Sequence, residues 1–167
     1  MPKRAAIILL MSCLPGAGGA SAQSTQTPFG GLTHDSSLPV EIASDTLNLD
    51  QADGSALFSG NVVVGQGDMR LSANQIRVEY SRTEEGGTGR ISRLVAEGDV
   101  ALVSGAEVAE AQNAVYTIDS GVVVLTGDVI LIRGQSTLTA NRMVIDLNSG
   151  SARIVGRVRT ILKTGGE

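Results

Sequence analysis

The sequence predicts an all-β fold made from four copies of one unit, and three observations carry that prediction. Gly-x-Val steps recur at Gly60-Asn61-Val62, Gly98-Asp99-Val100, Gly127-Asp128-Val129 and Gly156-Arg157-Val158, spaced by 38, 29 and 29 residues. A polar step led by alanine precedes each of them, at Ala43-Ser44-Asp45, Ala73-Asn74-Gln75, Ala111-Gln112-Asn113 and Ala140-Asn141-Arg142. The apolar runs in between are short, β-branched, without helical period and bounded by Gly, Asn, Asp and Ser, as strands are. A fixed period broken once marks a supersecondary unit copied in series with a single insertion.

Alanine-to-glycine distances of 17, 25, 16 and 16 residues place the insertion in the second unit. Its extra residues fall in the Ser-, Thr-, Glu- and Gly-rich stretch 81–89, which reads as an exposed loop. Upstream of the repeats, Met1-Pro2-Lys3-Arg4 is basic, residues 5–14 are mostly apolar, and Ala20-Ser21-Ala22 offers small residues for cleavage. That pattern predicts a secretory signal peptide over residues 1–22. An apolar run of about ten residues falls far short of the roughly 20 needed to span a bilayer. Leu10-Met11-Ser12-Cys13 offers a competing lipobox reading with a lipidated Cys13, although Met at its second position is unusual.

Cleavage after Ala22 would leave 145 residues, one domain's worth, without any cysteine, so packing rather than disulfides must hold the fold. With Lys3 and Arg4 gone, 11 basic against 17 acidic residues leave a net charge of −6 and no basic cluster, which argues against nucleic acid as a partner. Residues 23–38 are Ser-, Thr-, Gln- and Gly-rich and aperiodic, so they are expected to form a flexible leader. The folded domain is expected over 39–163, with a short disordered tail at 164–167.

Successive strand side chains point to opposite faces, so alignment on the glycines assigns those faces. Two and four residues beyond each glycine lie Val62 and Val64, Val100 and Leu102, Val129 and Leu131, and Val158 and Thr160. Phe58, Ala96, Leu125 and Ile154 precede the glycines on the same face, while Asn61, Asp99, Asp128 and Arg157 turn outward. The glycines themselves are expected on the internal face. After the alanine landmark, Ile76, Val78 and Tyr80, then Ala114, Tyr116 and Ile118, then Met143, Ile145 and Leu147 point inward. The first unit departs from this phase: Leu47 and Leu49 sit one position off, whereas Val40 and Ile42 precede the alanine. A bulge near Ser44 and Asp45 is the expected cause. Turn signals at Asp53-Gly54, Asp119-Ser120-Gly121 and Asn148-Ser149-Gly150 join the strands. A single unit cannot bury its own apolar face, so stacked units share one interior and leave unpaired strand edges at both ends.

Val40-Glu41-Ile42-Ala43-Ser44-Asp45, Phe58-Ser59-Gly60-Asn61-Val62-Val63-Val64 and Val124-Leu125-Thr126-Gly127-Asp128-Val129, behind a signal peptide, resemble the OstA-like repeat of periplasmic lipopolysaccharide-transport proteins. The resemblance, to the LptA/OstA-like family, covers about residues 39–163. It implies an open-ended OstA-like β-jellyroll, folded like a taco, whose aliphatic groove shelters the acyl chains of lipid A in the periplasm. It also implies LptC-like and LptD-like partners at the two ends, or an LptC-like role in the same pathway, and head-to-tail self-association through edge strands. The expected lipid-binding residues are Val40, Ile42, Phe58, Val62, Val64, Ile76, Val78, Val100, Leu102, Tyr116, Val129 and Leu131. Inward aliphatics in a β protein are ordinarily core, and at mid-groove positions packing and lipid contact coincide.

No catalytic residues, metal site or cofactor are expected. His34 is the single histidine and lies in the leader, so neither a histidine metal site nor a triad with a histidine base can be assembled. Glu84-Glu85 in the inserted loop reads as solvated surface. Arg70, Arg77, Arg142 and Arg153 are expected at the groove rim, where guanidinium groups could meet lipid phosphates. Two further classes remain open beside the carrier. One is a scaffold module that assembles through its edges without lipid. The other is a polysaccharide-active β-helix, disfavoured by two Tyr, two Phe and no Trp for sugar stacking.

Overall fold

The computed structural model describes residues 27–28, 37–52, 54–83 and 87–162. The expected signal peptide, Cys13, His34, Glu84-Glu85, most of the leader and the tail lie outside the described residues. Among those described, eleven strands form one antiparallel sheet: β1 Thr27–Pro28, β2 Glu41–Ala43, β3 Thr46–Leu49, β4 Ala56–Gln66, β5 Met69–Arg82, β6 Thr88–Ser104, β7 Glu107–Thr117, β8 Val122–Arg133, β9 Ser136–Asp146, β10 Ser151–Val155 and β11 Arg159–Ile161. From β2 through β11 each strand pairs with its sequence neighbours, except that β3 shares β4 with β2 and β11 shares β9 with β10. The expected all-β, open-ended fold is therefore what the chain adopts.

A crease crosses every long strand. At Gly60-Asn61, Gly98-Asp99 and Gly127-Asp128 two residues face one on the adjoining strand, so the register breaks between Ser59 and Val62, Glu97 and Val100, and Thr126 and Val129. Both residues of each step are left-handed, with φ of +79°, +77° and +82° for the glycines and +46° for each follower. Two consecutive residues in that region bend the strand sharply, and Asn and Asp tolerate it better than other side chains. Aligned across the sheet, these bulges divide it into two arms. One arm holds β3, β10, the first halves of β4, β6 and β8 and the second halves of β5, β7 and β9. The other holds β2, β11 and the remaining halves.

The bulge expected in the first unit alone thus occurs in every unit, on the glycine strand rather than at Ser44-Asp45. Asp45 N–H donates to the Gly60 carbonyl at 2.9 Å as Asn141 N–H does to that of Gly156 at 3.0 Å, so Asp45 is the counterpart of Asn141. Ser44, not Ala43, therefore stands where the later units have alanine. With that shift Ile42, Leu47 and Leu49 fall into phase with the rest. The glycines also do not line the interior. A Cβ on Gly98 would lie 2.8 Å from the exposed Asn74 amide, and one on Gly127 2.9 Å from Gln112 Cβ, so both would point to the outer side of the crease.

Side-chain bonds reinforce the crease from outside. Asn61 Nδ2 donates to Asp45 Oδ2 at 2.8 Å, Asn74 Nδ2 to Asp99 Oδ2 at 3.0 Å, and Gln112 Nε2 to Asp128 Oδ2 at 2.8 Å. Asp99 and Asp128 are thus outward, as expected, and structural. Thr27 and Pro28, inside the expected leader, pair with Ala152 and Ser151 of β10.

Candidate lipid-holding interior

The inward face is a set of apolar rows that run through the ladder from one open edge to the other. One row reads Leu47, Phe58, Ile76, Ala96, Ala114, Leu125, Met143 and Ile154, and another Ile42, Val64, Leu71, Leu102, Ala109, Leu131, Leu138 and Thr160. The first lies in one arm and the second in the other. Strand pairing spaces neighbouring residues of a row about 4.8 Å apart, so each row is a continuous apolar band, broken only by Thr160 at the last edge of the second.

All twelve residues expected to line the groove face inward. Val62, Val64, Ile76, Val78, Val100, Leu102, Tyr116 and Val129 are buried, and Val40, Ile42, Phe58 and Leu131 are half-buried against that core. Burial shows their face, and by itself equally fits packing. Leu71, Met69, Leu94 and Ala109 belong to the same interior and escaped the sequence reading, because the glycine and alanine landmarks index only part of each strand. At the last edge Val158 is 51% exposed and Thr160 is also exposed, since no further unit covers them.

The interior becomes polar at the free end of the second arm. Gln66, Ser104 and Glu107 are buried there on one register row with Met69 and Arg133. Glu107 Oε1 meets Arg133 Nε at 3.1 Å. Sequence reasoning missed this row, although Gln66, Ser104 and Arg133 each lie six residues beyond a repeat glycine, continuing the inward alternation. Tyr116 Oη, from the first arm, donates to Gln66 Oε1 at 3.0 Å, and Gln66 Nε2 donates to the Leu38 carbonyl at 2.9 Å. These bonds fasten the two arms across the interior. Beside them a cleft of about 530 Å³ opens between the arms at the β2 end, lined by Leu38, Val40, Gln66, Ile91, Ile118 and the Arg90–Asp119 ion pair.

Burial pushes the Tyr116 phenol from 10.0 up to about 12. Its neutral form is favoured in the fold, so its contribution to stability is complete below pH 10 and disappears as pH rises towards 12. In a Tyr80→Phe background, absorbance at 295 nm should therefore show the remaining tyrosine ionising only near pH 12 or upon unfolding. Ionisation near pH 10 would contradict the buried placement.

Arg70, Arg77, Arg142 and Arg153 do not stand at the groove mouth. They lie on outward rows of the sheet, and the Arg70 guanidinium folds onto the carbonyls of Gly67 and Met69. Arg90 lines the cleft instead, paired with Asp119, and Arg133 sits on the polar inward row with Glu107. Among the described residues, no three His, Cys, Asp or Glu side chains gather as a metal site, and no helix is long and apolar enough to cross a membrane.

A creased antiparallel sheet, closed over an apolar interior and open at both edges, defines a β-jellyroll of the LptA type. The crystal structure of LptH from Pseudomonas aeruginosa, described as the LptA-homologous periplasmic component of the lipopolysaccharide transport device, superposes with a TM-score of 0.67. That match covers 78% of this chain and 99% of the other at 18% identity. Residues 41–151 match the family model described as LptA/(LptD N-terminal domain) LPS transport protein, and the chain belongs to that family. A Rhizobium meliloti (strain 1021) protein described as uncharacterised is 31% identical over 112 residues, or 65% of this chain and 60% of that one. The chain thus spans under two thirds of that relative's length.

Proposed function

We propose that this protein is a non-enzymatic periplasmic carrier that shelters the acyl chains of lipid A between its two arms as lipopolysaccharide passes from inner to outer membrane. The observation that carries the reading is the pair of apolar rows continuous from edge to edge, joined to membership of an LPS transport family. Burial of acyl methylenes contributes about 0.8 kcal/mol each. A lining of Val, Leu and Ile gives that gain at any position, so a chain can slide without crossing deep wells. The half-buried Val40, Ile42, Phe58 and Leu131 are the first residues a lipid would meet, and the buried Val62, Val64, Ile76, Val78, Val100, Leu102, Tyr116 and Val129 are reached as the arms part. An LptC-like inner-membrane partner at one edge, an LptD-like outer-membrane partner at the other, and further copies of this chain complete the bridge.

Site-specific photocrosslinking in cells tests this. A photoreactive residue at Phe58, Val62 or Val100 should give a lipopolysaccharide adduct, and one at outward Val63 should give none. Equal labelling of both faces, or labelling of neither, overturns the proposal. The complete burial of Tyr116, Ile76 and Leu125 favours a second reading, a scaffold module whose interior is only core. Mass spectrometry of lipids carried through native purification separates the two.

A further inference from the structure

The two open edges of the sheet carry opposite charge. Residues 39–50, which hold β2 and β3, contain Glu41, Asp45 and Asp50 and no Lys or Arg. Residues 151–162, which hold β10 and β11, contain Arg153, Arg157 and Arg159 and no Asp or Glu. Between these edges, in a chain of net charge −4, β5, β6, β8 and β9 each carry both signs, β4 is uncharged and β7 is acidic, so the basic residues free of acidic neighbours gather at the β10–β11 edge.

The crease adds a register to the charge. Along it, single residues of the landmark strands alternate with two-residue glycine steps: Asp45, Gly60-Asn61, Asn74, Gly98-Asp99, Gln112, Gly127-Asp128, Asn141, Gly156-Arg157. Inside the chain Asp45, Asn74 and Gln112 each bond the follower of the glycine step that comes next in the chain, always an amide with a carboxylate. The series ends on a cation, Arg157, left-handed at φ +42° and exposed. The residue that begins the series, Asp45, is a carboxylate.

We propose that Arg157 of one copy pairs with Asp45 of a second copy and so fixes the register of a head-to-tail contact between β10–β11 and β2–β3. The inference rests on the edge-docking part of the reading above and names the residue pair that governs it. Continuing the ladder places Thr46 of the incoming copy opposite Val155, Ala43 opposite Arg159 and Ile42 opposite Thr160, as Thr46, Ala43 and Ile42 face Ser59, Val63 and Val64 within the chain. Glu41 then lies diagonal to Arg159, within reach of long side chains. β1 already pairs with Ser151 and Ala152, so the first arm contributes Thr46 to Asn48 against Arg153 to Val155. A slip by one residue removes the carboxylate from Arg157 and turns Leu47 away from the interior row. Opposed charges at the edges also speed encounter and set orientation, and salt weakens both effects.

Disulfide trapping with the full mature chain tests the register. Thr46→Cys protein mixed with Val155→Cys protein should form a mixed disulfide at least tenfold more than Leu47→Cys mixed with Val155→Cys. Arg157→Glu in the Val155→Cys background should abolish trapping, Arg157→Lys should retain most of it, and 500 mM salt should reduce it against 50 mM. Equal trapping at both registers, trapping indifferent to Arg157→Glu, or a strictly monomeric wild type in sedimentation at 100 μM overturns the proposal. Melting temperature checks that the Arg157 variants are folded. Lipid adduct formation at Val100 is read separately: docking lost with lipid retained tells against this inference alone, and docking retained without lipid tells against the carrier.

Discussion

Replacing Gly127 by alanine is expected to destabilise the protein by about 2–4 kcal/mol, without contact with the interior. Gly127 has φ +82° in the third crease bulge, and Asp128 beside it is left-handed too. An L-residue in that region costs about 1–2 kcal/mol. The new methyl also lies 2.9 Å from Gln112 Cβ and 3.0 Å from Gln112 Oε1. Gln112 must then shift, and its bond to Asp128 Oδ2 is lost, a further cost of about 1 kcal/mol. Thermal and urea unfolding measure the sum. The control is Gly134→Ala at a hairpin end, where φ is +56° but no atom lies within 4 Å of the added Cβ. It should cost only the conformational part. Equal losses at both sites would mean that crease packing contributes nothing.

The second large effect separates packing from lining. Leu125→Ala removes a fully buried side chain at the middle of a row and should cost about 2–5 kcal/mol, with lipid binding reduced only as far as folding is. Leu131→Asn and Phe58→Ala alter half-buried positions at the edge of the core, so their stability cost should be smaller, about 1–2 kcal/mol. If the carrier reading holds, these two variants lose copurified lipopolysaccharide out of proportion to stability. Loss of lipid that merely tracks stability across all three variants would favour the scaffold reading.

Much of this was legible in the sequence because period and alternation are local. The repeat of 29 residues, the strands, and the inward direction of Val62, Val100 and Val129 all follow from spacing on one chain. What failed was whatever depended on how a strand meets its neighbour. In the first unit Ala43 looks like the other landmark alanines, whereas the hydrogen bond from Asp45 to Gly60 makes Ser44 the equivalent. The four arginines expected at the rim stand on outward register rows, across the sheet from the interior, and Arg90 lines the cleft instead. Gln66, Ser104 and Glu107 are buried but polar, so hydrophobic patterning does not mark them, although parity with Gly60 and Gly98 places the first two inside.

The sequence alone therefore determined the fold class, the unit and the face of most strand residues, because side-chain alternation and turn chemistry act over a few bonds. Only the tertiary structure decided that the Gly-x steps align into a crease, that the glycines point out of it, and that Tyr116 and Gln66 meet across the arms. It also set acidic β2–β3 and basic β10–β11 at opposite ends. Those features arise from register between strands, which is fixed by backbone pairing and packing at a distance along the chain.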